Sequence, residues 1–142
     1  MKKEEIFKLI TENPAFFLAT VEDDQPKVRG MLLYKADEDG IIFHTGSMKD
    51  LYGQVLKNPK VELCFNGNGS QVRISGTLEI IDDNNFKDEI CNHPSRKFLQ
   101  AWRESKELKD FYKELIVFRL KNGTATTWTM ATNFASKEFI QL

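Results

Sequence analysis

The stretch Phe43-His44-Thr45-Gly46-Ser47-Met48-Lys49 sets two hydroxyls, a cation and a turn-forming glycine between a predicted strand and a predicted helix. Hydroxyl, ammonium and free backbone N–H groups at a helix start make an anion site, and phosphate is the commonest anion bound that way. Upstream, Arg29 brings a planar fork of donors that suits phosphate. Downstream, Gln71-Val72-Arg73 adds polar groups on another predicted strand. Together these residues point to a ligand that carries a phosphate. Other chemistries find less support. The chain has no Gly-x-Ser-x-Gly elbow and no Walker A loop. The spacing of His44, Cys64, Cys91 and His93 matches no standard zinc pattern, so no metal ligand and no catalytic residue is assigned.

The elements that must position these groups follow from hydrophobic spacing and turn chemistry. Lys2 to Asn13 carries Ile6, Leu9 and Ile10 at helical intervals and stops at Pro14. Ala15 to Val21, Lys27 to Ala36 and Ile41 to His44 read as strands joined by short polar turns, which favours antiparallel pairing over crossovers. Asp50 to Lys57 reads as a helix with Leu51, Val55 and Leu56 on its apolar face, ended by Asn58-Pro59. Val61 to Phe65 and the long run Gln71 to Ile81 are strands around the turn Asn66-Gly67-Asn68-Gly69, and Gly76 marks a bulge or bend. Asp82 to Trp102 and Ser105 to Tyr112 are predicted helical, with a break near His93-Pro94. Leu115 to Lys121 and Thr124 to Met130 flank Asn122-Gly123, the strongest hairpin signal in the chain. Lys137 to Leu142 adds a last edge strand. The sum is one mainly β domain over residues 1–142, with six or seven antiparallel strands forming a small barrel decorated by short helices.

Composition bounds the function. The 142 residues are enough for one domain, and at 41% hydrophobic with 11 Phe they can bury a dry core. Basic and acidic residues number 20 and 21 and are mixed along the chain, which gives no electrostatic case for nucleic acid or an anionic membrane. No apolar run is long enough to span a bilayer, the N-terminal residues lack the apolar core of a secretory signal, and two unpaired-looking Cys fit a reducing compartment. A cytoplasmic protein is the expectation.

The ordered series Ala19-Thr20-Val21, Pro26-x-x-Arg29, Thr45-x-Ser47-x-Lys49, Gln54-x-x-x-Asn58-Pro59 and Gln71-Val72-Arg73-x-x-Gly76 resembles the pyridoxamine 5'-phosphate oxidase-like FMN-binding split-barrel family. The similarity runs from about Phe16 to Ile81, and is greatest to the short branch that includes nitroimidazole reductases. The long members end in a tail with substrate-binding Arg and His residues, which finds no match in Phe139-Ile140-Gln141-Leu142. The resemblance implies an antiparallel split β-barrel and FMN as cofactor. Arg29 then matches the strand Arg that pairs with the FMN phosphate, and Gly30, Met31, Leu32 and Leu33 match the segment beside the isoalloxazine ring. His44 and Thr45 match the strand-end pair at the cofactor, Ser47 and Lys49 the phosphate loop, and Gln71 a Gln that reaches the flavin across a dimer interface. Trp128 resembles positions lining the cofactor cleft. Where relatives often carry a second cation, this chain has Met48.

What the resemblance implies is a homodimer with cofactors at the subunit interface, acting as an FMN-dependent oxidoreductase that passes electrons from a reduced nicotinamide or similar donor to a small acceptor. A non-enzymatic flavin- or haem-binding protein of the same fold, for storage, sensing or sequestration, is the alternative, and a relative that binds nothing is a third reading. Taken singly, each residue also has a plainer reading. Arg29 can be a solvated strand cation, Ser47 an N-cap, His44 a structural imidazole, Gln71 an ordinary strand residue, Trp128 a core or interface aromatic, and Met31, Leu32 and Leu33 core.

Overall fold

The computed structural model describes residues 1–142. Its elements run α1 (Lys3–Glu12), β1 (Ala15–Glu22), β2 (Gln25–Leu32), β3 (Lys35–Asp37), β4 (Gly40–Gly46), α2 (Asp50–Lys57), β5 (Lys60–Gly67), β6 (Ser70–Ile81), α3 (Asn84–Asn92), a 3₁₀ turn (Pro94–Arg96), α4 (Lys97–Glu104), α5 (Phe111–Glu114), β7 (Leu115–Leu120), β8 (Thr124–Thr129) and β9 (Ile140–Gln141). The strands hydrogen-bond in the order β2-β1-β5-β6-β7-β4-β3, with β8 on β6 and β9 on β8, and every pairing is antiparallel.

Period-two alternation builds the core. On β1, Phe16 and Leu18 point inward with Thr20, while Phe17 faces out. The inward rings stack: Phe16 lies 4.6 Å from Phe65 and edge-on to Phe43 at 5.2 Å, and Phe43 meets Phe118 at 5.6 Å. The apolar face of α1, Ile6, Leu9 and Ile10, plugs one side of this core. A second, smaller core of Ile42, Ile90, Cys91, Leu99, Phe111, Leu115 and Val117 lies beneath the helices between β6 and β7.

Four expectations are corrected. Lys27 to Ala36 is two strands, because the chain turns at Leu33-Tyr34. The Leu33 amide donates to Pro14 O and the Tyr34 amide to Ile42 O, which hands the chain from the β1 side to the β4 side. Asn122-Gly123 makes no hairpin, since β7 and β8 pair with different halves of β6 and not with each other. A type I′ turn needs positive φ at both central residues; Asn122 has it at 59°, while Gly123 does not. Gly123 serves packing instead, because a Cβ there would sit 2.5 Å from Leu120 Cδ2. Ser105 to Asp110 is turn rather than helix: Lys106 takes φ 64° and the segment offers only Leu108 as an apolar anchor. On α2 the buried face is Leu51, Gln54 and Val55, with Leu56 58% exposed.

Gly76 does mark a bend. Before it, β6 is sandwiched between β5 and β8; beyond it, Leu78 to Ile81 pair with β7. The bend lets one strand serve both halves of the sheet, and Leu120 packs 3.1 Å from where a Gly76 Cβ would stand.

Candidate functional site

Two adjoining clefts open between β2, the β4–α2 loop and the helical segment. The first, about 940 Å³, is polar and is lined by β2, the loop and α2. The second, about 750 Å³, runs under α4 and is walled by Met48, Phe98, Leu99, Trp102, Leu108 and Leu115. Gly30, Met31, Thr45 and Lys49 border both, so the two form one groove with a charged end and an apolar end.

At the charged end Arg29 points inward from β2, since it pairs opposite buried Leu18. Its Nη1 donates to Leu18 O at 3.2 Å and to Thr20 Oγ1 at 2.8 Å, and its Nη2 donates to Gln54 Oε1. Gln54, only 6% exposed, also accepts from Thr20 Oγ1 at 2.7 Å and donates to Glu22 Oε2 at 2.9 Å. This network fixes the guanidinium while leaving Nε–H and one Nη2–H without a partner in the chain. Burial pulls the Arg29 pKa down and Asp50 partly offsets it; an Arg still keeps its charge.

Four cations line this end, Lys27, Arg29, Lys49 and Lys57, against two carboxylates, Glu22 and Asp50. Lys27, Lys49 and Lys57 make no ion pair. Ser47 is not the cap of α2: that position belongs to Lys49, and no side chain caps the helix. The amides of Ser47 and Lys49 are spent on Glu114 O and Gly46 O. The amides of Asp50 and Leu51 in the first turn have no backbone acceptor, as a helix start leaves them. Unpaired ammonium groups, the Ser47 and Thr45 hydroxyls and open amides therefore face one polar space. That donor set suits a phosphate dianion.

At the apolar end sits His44, on β4. Arg96 Nε donates to its Nε2 at 2.9 Å, and burial together with that cation drives the His44 pKa down to about 4. Met48, 58% exposed, contributes its thioether to the apolar wall.

Of the predicted site residues, Arg29, Gly30, Met31, Leu32, His44, Thr45, Ser47 and Lys49 line the groove. Leu33 is core, 3% exposed, and of the trio Met31-Leu32-Leu33 it alone is fully so. Gln71 and Trp128 lie directly opposite each other on β6 and β8 and border neither cleft. Trp128 Nε1 donates to Asn133 Oδ1 at 2.8 Å. Sequence reasoning left out Lys27, Lys57, Gln54 and Arg96. Lys27 shares a strand face with Arg29 by the two-residue period, and Lys57 lies about two turns along α2 from Lys49, so both were recoverable from spacing. Gln54 stands in the series that carries the resemblance but was given no role, and Arg96 follows a helix break with nothing local to mark it as part of the groove.

The pyridoxamine 5'-phosphate oxidase family model matches residues 3–127. A pyridoxine/pyridoxamine 5'-phosphate oxidase of Rhizobium meliloti is 31% identical over 96 residues, covering 66% of this chain and 47% of that protein. The chain thus spans about half the length of the curated relatives it matches. Among solved structures, a NimC/NimA family protein of Clostridium acetobutylicum superposes with TM-score 0.75 at 22% identity, covering 98% of this chain and 92% of that one. A pyridoxamine 5'-phosphate oxidase-related, FMN-binding protein of Nostoc punctiforme gives TM-score 0.63 at 16% identity, covering 99% and 95%. These neighbours share the split-barrel fold. With the matched region running from α1 into β8 and the Arg29, Ser47 and Lys49 cluster inside it, the chain belongs to the pyridoxamine 5'-phosphate oxidase family.

Proposed function

We propose that the groove binds FMN and that the protein is an FMN-dependent oxidoreductase working as a homodimer. The observation that carries this reading is the charged end: four cations against two carboxylates around unpartnered hydroxyls and amides, continuous with an apolar slot. Lys27, Arg29, Ser47, Lys49 and Lys57 would hold the phosphate. The β2 segment Gly30 to Leu32 and the apolar wall would hold the ring, with Gly30 giving room, since nothing lies within 4 Å of where its Cβ would be. Bound flavin supplies the electron transfer; the residues supply binding, orientation and exclusion of water. The acceptor would lie at the apolar end under α4, between Phe98, Trp102 and Met48. A reduced nicotinamide is the donor we propose.

Haem is poorly served. His44 Nε2 is already engaged by Arg96, and His93 borders neither cleft.

The phosphate separates FMN from riboflavin, so the pair of ligands is the test. The native protein should bind FMN at least about tenfold more tightly than riboflavin, as one charge-assisted bond of about 1.5–3 kcal/mol implies. Lys49→Ala combined with Ser47→Ala should erase most of that preference in fluorescence titrations. Equal affinity of the native protein for FMN and riboflavin would refute the phosphate assignment. Bleaching of the bound flavin by NADH or NADPH then tests the oxidoreductase reading, and a cofactor that no nicotinamide reduces would favour a binding role.

A further inference from the structure

Arg96 is 2% exposed, among the most deeply buried large side chains of the protein, and it pairs with no carboxylate. Burying a guanidinium costs several kcal/mol unless its hydrogens are bonded. Here all five are. Nε donates to His44 Nε2 at 2.9 Å, Nη1 to Ser95 O and Oγ at 3.3 and 3.2 Å, and Nη2 to Leu33 O at 2.8 Å and Leu32 O at 3.5 Å. The rings of Tyr34 and Phe98 stand 5.3 and 5.7 Å from its central carbon and replace part of the lost hydration. Local sequence sets this up. His93-Pro94 ends α3, the 3₁₀ turn swings Arg96 beneath the sheet, and the Ser95 amide is held by His93 Nδ1 at 3.1 Å.

The consequence lies in the imidazole. Arg has no acceptor atom and does not lose its proton in proteins. The nitrogen that faces it must therefore be an acceptor. His44 Nε2 carries the lone pair, so Nδ1 carries the hydrogen. Nδ1 makes no hydrogen bond within the chain, and His44 lines the apolar cleft. We propose that Arg96 is a positioning residue that locks His44 as its neutral Nδ1–H tautomer, so that the apolar end of the groove presents one fixed hydrogen-bond donor to an acceptor atom of the bound ligand. On this assignment His44 reads a carbonyl oxygen or a ring nitrogen and supplies no proton. Protonation would set a second cation against the buried guanidinium, in keeping with the depressed His44 pKa. The other charged groups around this cleft, Lys49, Glu107 and Glu114, make no bond to the imidazole. The tautomer is a property of the chain alone; the contact with a ligand rests on the flavin reading.

Nitrogen-15 histidine NMR of the full chain tests it directly, since there are only two histidines and His44→Gln assigns the signals. The native protein at neutral pH should show His44 as the Nδ1–H tautomer, with no protonation until pH nears 4. Arg96→Met should mix the tautomers and raise the titration midpoint only part of the way towards the ordinary 6.5, because burial, the larger cause of the depression, remains. Saturating FMN should shift the Nδ1–H signal of the native protein. An Nε2–H tautomer in the native protein, or a midpoint near 6.5, overturns the proposal without any variant having to fold. Bound FMN that leaves the Nδ1–H signal unmoved overturns the ligand contact, whereas failure of FMN to bind with the tautomer intact counts against the flavin reading instead.

Discussion

A histidine whose native form stays neutral makes stability depend on pH in a defined window. In the unfolded chain His44 takes up a proton as pH falls below its ordinary 6.5; in the folded chain it does not until about 4. Between those values the unfolded state binds more protons, so the unfolding free energy rises with pH. The contribution is complete above pH 6.5, shrinks as pH falls through the window, and reaches a loss of roughly 3 kcal/mol at its acid end. Carboxylates titrate at the same end, so the native protein should be compared with His44→Gln by urea unfolding at pH 7 and pH 5. The native protein should lose more stability than the variant on that change; equal losses would mean that His44 is not held neutral by the fold. At this scale the sequence marks the groups that touch a ligand, because chemistry restricts their type. It gives no role to Gln54, which enters only within the series that carries the resemblance, and does not mark Arg96 at all; the two act by holding Arg29 and His44 from other elements. Their roles depend on contacts 25 and 52 residues away along the chain.

At the scale of elements, α2 and the strands around it were legible because each obeys one period and ends on a turn or proline. Two of the misread segments lie where the chain changes sheet. Lys27 to Ala36 keeps a strand-like composition through the Leu33-Tyr34 turn, and only the capture of the Leu33 amide by Pro14 and the Tyr34 amide by Ile42 splits it. Asn122-Gly123 carries the chemistry of a tight turn, yet tertiary pairing with β6 overrides it. Gly123 is retained for space: a Cβ would meet Leu120 Cδ2 at 2.5 Å and Ile74 Cγ2 at 3.0 Å, both on core residues. Gly123→Ala should therefore destabilise by about 1–3 kcal/mol through overpacking. Were the position merely a hairpin corner in the right-handed region, the same change should be neutral or slightly stabilising. Chemical denaturation of the two proteins distinguishes these.

For the whole molecule, the outer face of the sheet is where the proposed homodimer would form. β2 is an edge strand, and long exposed edges are covered or blunted in native proteins. Val28 on that edge is 69% exposed and Phe17 beside it 56%, with Leu32 at the strand's end. Phe17 stands in a cross-strand row with Gly30, Cys64, Arg73 and Thr126, and the buried Thr126 Oγ1 has no partner within the chain. Gln71 and Trp128 occupy the adjacent row of the same outward face. An isologous dimer across this face would bury the apolar patch and bring both polar side chains to the interface, next to grooves that β2 borders on each copy. That is where a partner could complete a cofactor site which one chain leaves open. Phe17 lines neither cleft and is outside the core, so Phe17→Glu should leave the fold intact while opposing self-association. Sedimentation should show a dimer for the native protein and a monomer for the variant. FMN affinity should fall at least about tenfold with the loss of partner contacts worth roughly 1.4 kcal/mol. A monomeric variant that holds FMN as tightly as the native dimer would show that each groove is complete in one chain. In that event Gln71 and Trp128 would have no part in the site.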